Sequence, residues 1–232
     1  MPRRRASASP PNGVGAPAHE GLAPLYWISA SSVVRMPHAV GWLMPQGRLA
    51  EAVAELEWAL ERDPLSFQLR YWLTFMLLLA RDVDRVIEQA RVLMEMEPDS
   101  PFGPWLMAGG LRGKGRVEET VAAARQAADL SGGSAMMLGW LGLHLGARGP
   151  SDEGRRVLER LATMAQTQYV PPCCFAWTYL GLREIDTAFE WLERAGEARD
   201  QFMMPIKSYP FFDPIRSDAR FRTLLRKMKL EP

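Results

Sequence analysis

An all-α solenoid of stacked helix pairs is the fold this sequence predicts, and three observations predict it. The segment Gly47-Arg48-Leu49-Ala50-Glu51-Ala52 returns in altered form every 34 residues, at 81–86, 115–120 and 149–154. Pro64 and Pro98 stand at equivalent points of that register, with Gly132 next in the series. Between these marks apolar residues recur at helical spacing. A period of 34 fits a two-helix unit that cannot bury its apolar face alone and must stack on copies of itself.

The elements follow in order. Residues 1–24 read as a disordered leader, because Pro10, Pro11, Gly13, Gly15 and Pro17 punctuate a stretch with little apolar mass to offset ordering entropy. Residues 25–44 carry enough apolar material for a first helix in an irregular opening unit, limited by Pro37 and Pro45. Beyond residue 47, Leu49, Val53, Leu56 and Leu60 form an apolar stripe, Glu51, Glu55, Arg62 and Asp63 take the polar side, and Pro64 stops the helix. Further helices are predicted over 68–80 and 82–96, then 102–112 and 117–130 with turns at Gly113, Gly115 and Gly132. The fourth pair, 135–147 and 151–165, is divided by Gly149-Pro150, and its many glycines loosen the helix while permitting close packing. The fifth covers 172–181 and 184–198, with Pro171 and Pro172 at a helix entrance. The repeats thus fall at about 33–66, 67–100, 101–134, 135–168 and 169–200, a solenoid over 25–200, followed by a capping segment over 201–232. There Pro210 and Pro214 restrict the chain, Phe211, Phe212, Ile215 and Phe221 cover the last apolar edge, and Arg220, Arg222, Arg226, Lys227 and Lys229 face water.

Composition limits the function classes. A net charge of +1 gives no general attraction to nucleic acid, and the basic residues near both ends create fields of short reach at physiological salt. Cys173 and Cys174 are adjacent, so they outline no disulfide framework, and a reducing cytoplasm is the expected location. The leader lacks the apolar core of a secretory signal, and the apolar run 71–80 is too short to cross a bilayer, so no membrane insertion is expected.

The residues carry a resemblance to tetratricopeptide repeat (TPR) proteins. Leu141-Gly142 and Ala176 match small and apolar positions on the first helix of that family's pair, Ala52, Leu56 and Ala59 those on the second, and Pro64 and Pro98 the turn that follows. Leu73-Thr74 and Leu77 keep the pattern in the second unit, and Ala188, Leu192 and Ala195 in the fifth. The resemblance covers about residues 33–200 and implies a right-handed superhelix of about five helix pairs with an irregular C-terminal cap. Residues 209–221, from Tyr209-Pro210-Phe211-Phe212 to Phe221, resemble the closing segment of TPR regions in bacterial regulators, with Ala219 where that pattern has proline. Together these imply a non-catalytic protein or peptide binding scaffold of regulatory or adaptor type. A structural packing or homo-oligomerisation module is the alternative, and an enzyme the less favoured one.

In that family the first helix of each pair lines the concave face. The corresponding positions here include Gln68, Tyr71, Phe75, Phe102, Trp105, Arg112, Met136, Leu143 and Trp177, with Gly109, Gly139 and Cys173 among them. Poor in charge and rich in aromatic rings, the set suits an extended peptide or partner helix with apolar anchors. For Phe75, Leu143 and Trp177 a place in the core between repeats is the favoured reading, while Tyr71, Trp105 and Arg112 suit core and groove alike. No catalytic, cofactor or metal residue is expected: His19, His38 and His144 are scattered, the cysteines lack CxxC spacing, and Lys114 among its glycines lacks the Walker pattern. Acidic pairs such as Glu51 with Glu55 read as solvated helix surface.

Overall fold

The computed structural model describes residues 35–149 and 151–230, and the leader expected over 1–24 lies outside the described residues. Among the described residues there is no strand. After a π-helical turn, Ala39–Leu43, ten α-helices follow within the described residues: α1 Leu49–Arg62, α2 Phe67–Leu79, α3 Val83–Met96, α4 Phe102–Gly113, α5 Val117–Leu130, α6 Ala135–Leu145, α7 Asp152–Met164, α8 Pro172–Gly181, α9 Ile185–Glu197 and α10 Ala219–Lys227. They form a TPR-like solenoid in which each helix packs on its neighbours in sequence, and the first helices of successive pairs, α2, α4, α6 and α8, also touch one another.

Local chemistry sets the ends. Ser66, Asp82, Ser151 and Asp218 accept a backbone N–H at the starts of α2, α3, α7 and α10, satisfying donors a helix leaves open. Pro172 sits in the first turn of α8, where its missing N–H costs nothing. The 34-residue period reappears as backbone geometry. The turn inside each pair holds one residue in the left-handed region, Gly47, Arg81, Gly115, Gly149 and Arg183, with φ of 76°, 65°, 70°, 100° and 61°. Glycine adopts that conformation freely, whereas an L side chain there costs about 1 kcal/mol.

The second helices bury one stripe each, for example Ala52, Leu56 and Ala59 of α1 and Ala188, Leu192 and Ala195 of α9. The first helices are buried nearly all round; in α6 every residue from Met137 to Leu145 is buried. Small residues bring α6 and α8 especially close. A methyl group added to Gly146 would lie 2.0 Å from the carbonyl oxygen of Gly181, one on Gly181 2.2 Å from that of Gly142, and one on Gly139 2.8 Å from Cys174 Cα. The glycines of the fourth pair therefore form a seam at which two backbones meet.

Candidate functional site

The first helices α2, α4, α6 and α8 share the face expected to be concave, and a run of rings crosses it: Tyr71 to Trp105 at 5.9 Å, Phe75 to Trp105 at 5.5 Å, Trp105 to Trp140 at 5.3 Å and Trp140 to Trp177 at 5.2 Å between centroids. The chain covers the middle of this floor with its own C-terminal strap. Beyond Asp200 the chain runs through 3₁₀ turns at Gln201–Met203 and Pro210–Ile215 and lays rings on the floor: Phe202 on Trp177, Tyr209 on Phe75 and Trp140, and Phe211 on Trp140 and Trp177. Both ends of the stack hold it. Asp200 accepts from the backbone N–H of Cys173 at 3.1 Å, and Arg81, in the second unit, donates to both carboxylate oxygens of Asp213 at 2.8 and 3.0 Å. Arg216 also donates to Asp213; partial burial works to raise that carboxyl, but the two guanidinium groups hold it below the usual range. The capping residues Phe211, Phe212, Ile215 and Phe221 are buried, and the strap reaches well past the terminal edge to the first turn, where a methyl on Gly47 would lie 3.8 Å from Ser208 Oγ.

This divides the sequence-predicted positions into two groups. Phe75, Trp105, Leu143 and Trp177 are buried, at 4%, 4%, 2% and 0% exposure. Gln68 is exposed, and Tyr71, Phe102, Met136 and Arg112 are partly so. Gln68, Tyr71, Phe102 and Met136 lie in the first turns of α2, α4 and α6, forming one edge of the concave face, with Tyr71 and Phe102 5.0 Å apart. Gly109 packs on Leu78 and Gly139 on Cys174, so both serve helix contacts, and Cys173 is fully buried. Burial, and after it the Asp200 carboxylate, push both cysteine thiols upward, which makes them poor nucleophiles.

Arg112 stands at the opposite end of α4, in a separate cleft of about 650 Å³ between the C-terminal ends of α4, α6 and α8 and the strap. Leu180, Ile185, Phe211 and Pro214 are among its apolar walls, and Arg112, Arg183 and Asp218 among its charged ones. Asp218 is held by Arg220, which donates to both its carboxylate oxygens. Arg112 Nη1 donates to the Leu143 carbonyl at 3.4 Å and to His144 Nδ1 at 3.5 Å. Because a guanidinium only donates, His144 Nδ1 is the acceptor and its proton sits on Nε2, buried without a partner among the described residues. Burial first and the Arg112 charge second push His144 down to about 3, so it is neutral; burial also lowers Arg112. Arg183 is exposed at the rim of the cleft, 34 residues after Gly149, where it stands at a turn position that glycine holds in other units.

Among the described residues no three His, Cys, Asp or Glu side chains group as metal ligands, and no helix is long and apolar enough to cross a membrane. No protein-family model matches the sequence, and no curated protein matches it. In structure the chain is similar to a thermophilic TPR protein of Thermus thermophilus, with a TM-score of 0.58 and 19% identity over 78% of this chain and 98% of that one. The similarity is one of fold.

Proposed function

We propose that the protein is a non-catalytic scaffold that binds a protein or peptide along the open edge of its concave face, in a regulatory or adaptor role in the cytoplasm. The observation that carries this is the row of exposed Gln68 and partly exposed Tyr71, Phe102 and Met136, beside a floor whose middle is covered. Tyr71 and Phe102 supply rigid aromatic anchors, and Gln68 supplies donors and an acceptor beside them. A TPR-like stack holds such a row on rigid helices, and differences between units select side chains along a bound segment.

Affinity capture with the full chain, followed by titration of each enriched peptide, tests the proposal. Gln68→Ala is expected to weaken a genuine ligand while leaving the fold intact, and Tyr71→Ala to weaken it at some cost in stability, because Tyr71 packs on Phe102 and Trp105. A folded, monodisperse protein that captures nothing saturable, or a ligand indifferent to both substitutions, refutes it.

A further inference from the structure

We propose that the cleft between the C-terminal ends of α4, α6 and α8 binds a small amphiphilic monocarboxylate, with its carboxylate drawn to Arg112 and Arg183 and its apolar body against Leu180, Ile185 and Phe211. The inference goes beyond the peptide-binding reading and does not rest on it. A volume of about 650 Å³ falls within the range of small-molecule sites, roughly 300–1,000 Å³.

The charges select the ligand. A guanidinium carries five N–H donors, and the acceptors recorded for Arg112 are two long contacts on Nη1, the Leu143 carbonyl and His144 Nδ1. Among the described residues no carboxylate forms an ion pair with Arg112 or Arg183. Arg112 is partly out of water without a counter-charge, which is unfavourable, and an anion in the cleft removes that penalty. Asp218 does not supply the missing charge, because Arg220 binds it and pairs with Asp186 as well. Its carboxylate nevertheless stays in the wall and opposes a second negative charge, which favours a monoanion over a dianion. Neutral His144 beneath Arg112 accepts a hydrogen bond and adds no repulsion.

The repeat register adds a comparison between units. Gly47, Gly115 and Gly149 occupy the turn positions equivalent to Arg183, which keeps a side chain at φ 61°. Arg199 and Lys229 share this conformation at φ 51° and 57°, so the distinguishing feature of Arg183 is where its side chain stands. At the turns inside the pairs Arg81 is the other arginine and engages Asp213, whereas Arg183, exposed at the rim, lines the cleft without such a partner.

Calorimetric titration of the full chain with 4-phenylbutyrate and its neutral isostere 4-phenylbutyramide tests the proposal. The acid is expected to bind about tenfold more tightly than the amide and to lose affinity as salt is raised. Arg112→Met should bring the acid to the level of the amide. Arg183→Gly should lower acid affinity about fivefold without lowering the melting temperature, because glycine accepts the positive φ. That second variant decides the matter should Arg112→Met fail to fold. Equal binding of acid and amide, no binding of the acid by folded protein, or unchanged affinity in Arg183→Gly overturns the proposal. So does tighter binding of the peptide acetyl-Gly-Gly-Leu-Phe with a free C-terminal carboxylate, which would assign the cleft to peptide ends. Failure here leaves the Tyr71 and Gln68 tests untouched.

Discussion

Replacing Gly146 by alanine isolates the packing of the seam between α6 and α8. The residue has φ −64° and ψ −12°, which alanine adopts without strain, so torsion does not oppose the change. The new Cβ would lie 2.0 Å from Gly181 O, 2.4 Å from Gly181 Cα and 2.5 Å from its carbonyl carbon. These are backbone atoms, and no side-chain rotation removes them. Carbon and oxygen without a bond between them rest more than about 3 Å apart, so the helices must separate by about 1 Å along a seam where Gly142 and Thr178 are also in contact. Overpacking of this kind costs about 1–3 kcal/mol, and the rigid neighbours put this case at the upper end. For a chain of this size that is a fall in melting temperature of roughly 4–10 °C. The control is Gly196→Ala in α9, where the added Cβ meets only Leu224 Cδ1 at 3.4 Å. There the gain in helix propensity, about 1 kcal/mol, should raise the melting temperature by about 2–4 °C. Differential scanning calorimetry of both variants checks the opposite signs. A Gly146→Ala protein as stable as the parent would refute the close approach of α6 and α8.

Two other outcomes test the electrostatics. His144 titrates near 3 when folded and near 6.5 when unfolded, so the unfolded chain binds more protons in between, and stability is lost as pH falls from 6.5 toward 3. The loss at pH 5 relative to pH 8 is about 2 kcal/mol, and urea denaturation at both values should show that difference shrinking by a similar amount in His144→Leu. Asp213→Asn should cost about 0.5–1 kcal/mol, because the Arg81 pair is half exposed and solvent screens it. The Asp213 carboxyl is held low, so its contribution is present above its ordinary range and disappears as pH falls through the folded value; the mutant and parent should converge in stability in acid. A mutant deficit that persists undiminished however far the solution is acidified would contradict the ion pair.

The helix pairs were legible because their signals are local and repeated. Spans predicted at 82–96 and 117–130 appear as Val83–Met96 and Val117–Leu130, bounded by an acidic cap and by glycine turns whose chemistry depends on adjacent residues. The strap's path was not legible. Phe211, Phe212 and Ile215 announce apolar surface to be covered, but sealing a terminal edge and lying across a groove demand the same residue types. The concave positions divided for a related reason: periodicity assigns Tyr71 and Phe75 to one face of α2, while the strap decides that Tyr71 stays accessible and Phe75 does not. His144 gave no sign of its role either, since its partner Arg112 belongs to a different unit.

The seam, the strap and the cleft are consequences of one asymmetry. Glycines at 139, 142, 146 and 181 let the first helices of the last two pairs approach at backbone distance, whereas the contacts of α2 with α4 and of α4 with α6 pass through larger side chains such as Phe75, Trp105 and Trp140. From Asp200, at the exit of the fifth unit, a segment of 3₁₀ turns reaches the turns of the first two units at Gly47 and Arg81. Residues 203–215, one period after 169–181, occupy the register of a sixth first helix, but Pro205, Pro210 and Pro214 disfavour a regular α-helix there. The chain instead spends those residues crossing the floor, and α10, which begins 34 residues after α9, resumes the repeat as a second helix packed on α9. With no sixth first helix beside α8 among the described residues, the strap at Phe211 and Pro214 closes the cleft that Arg183 and Arg112 both line.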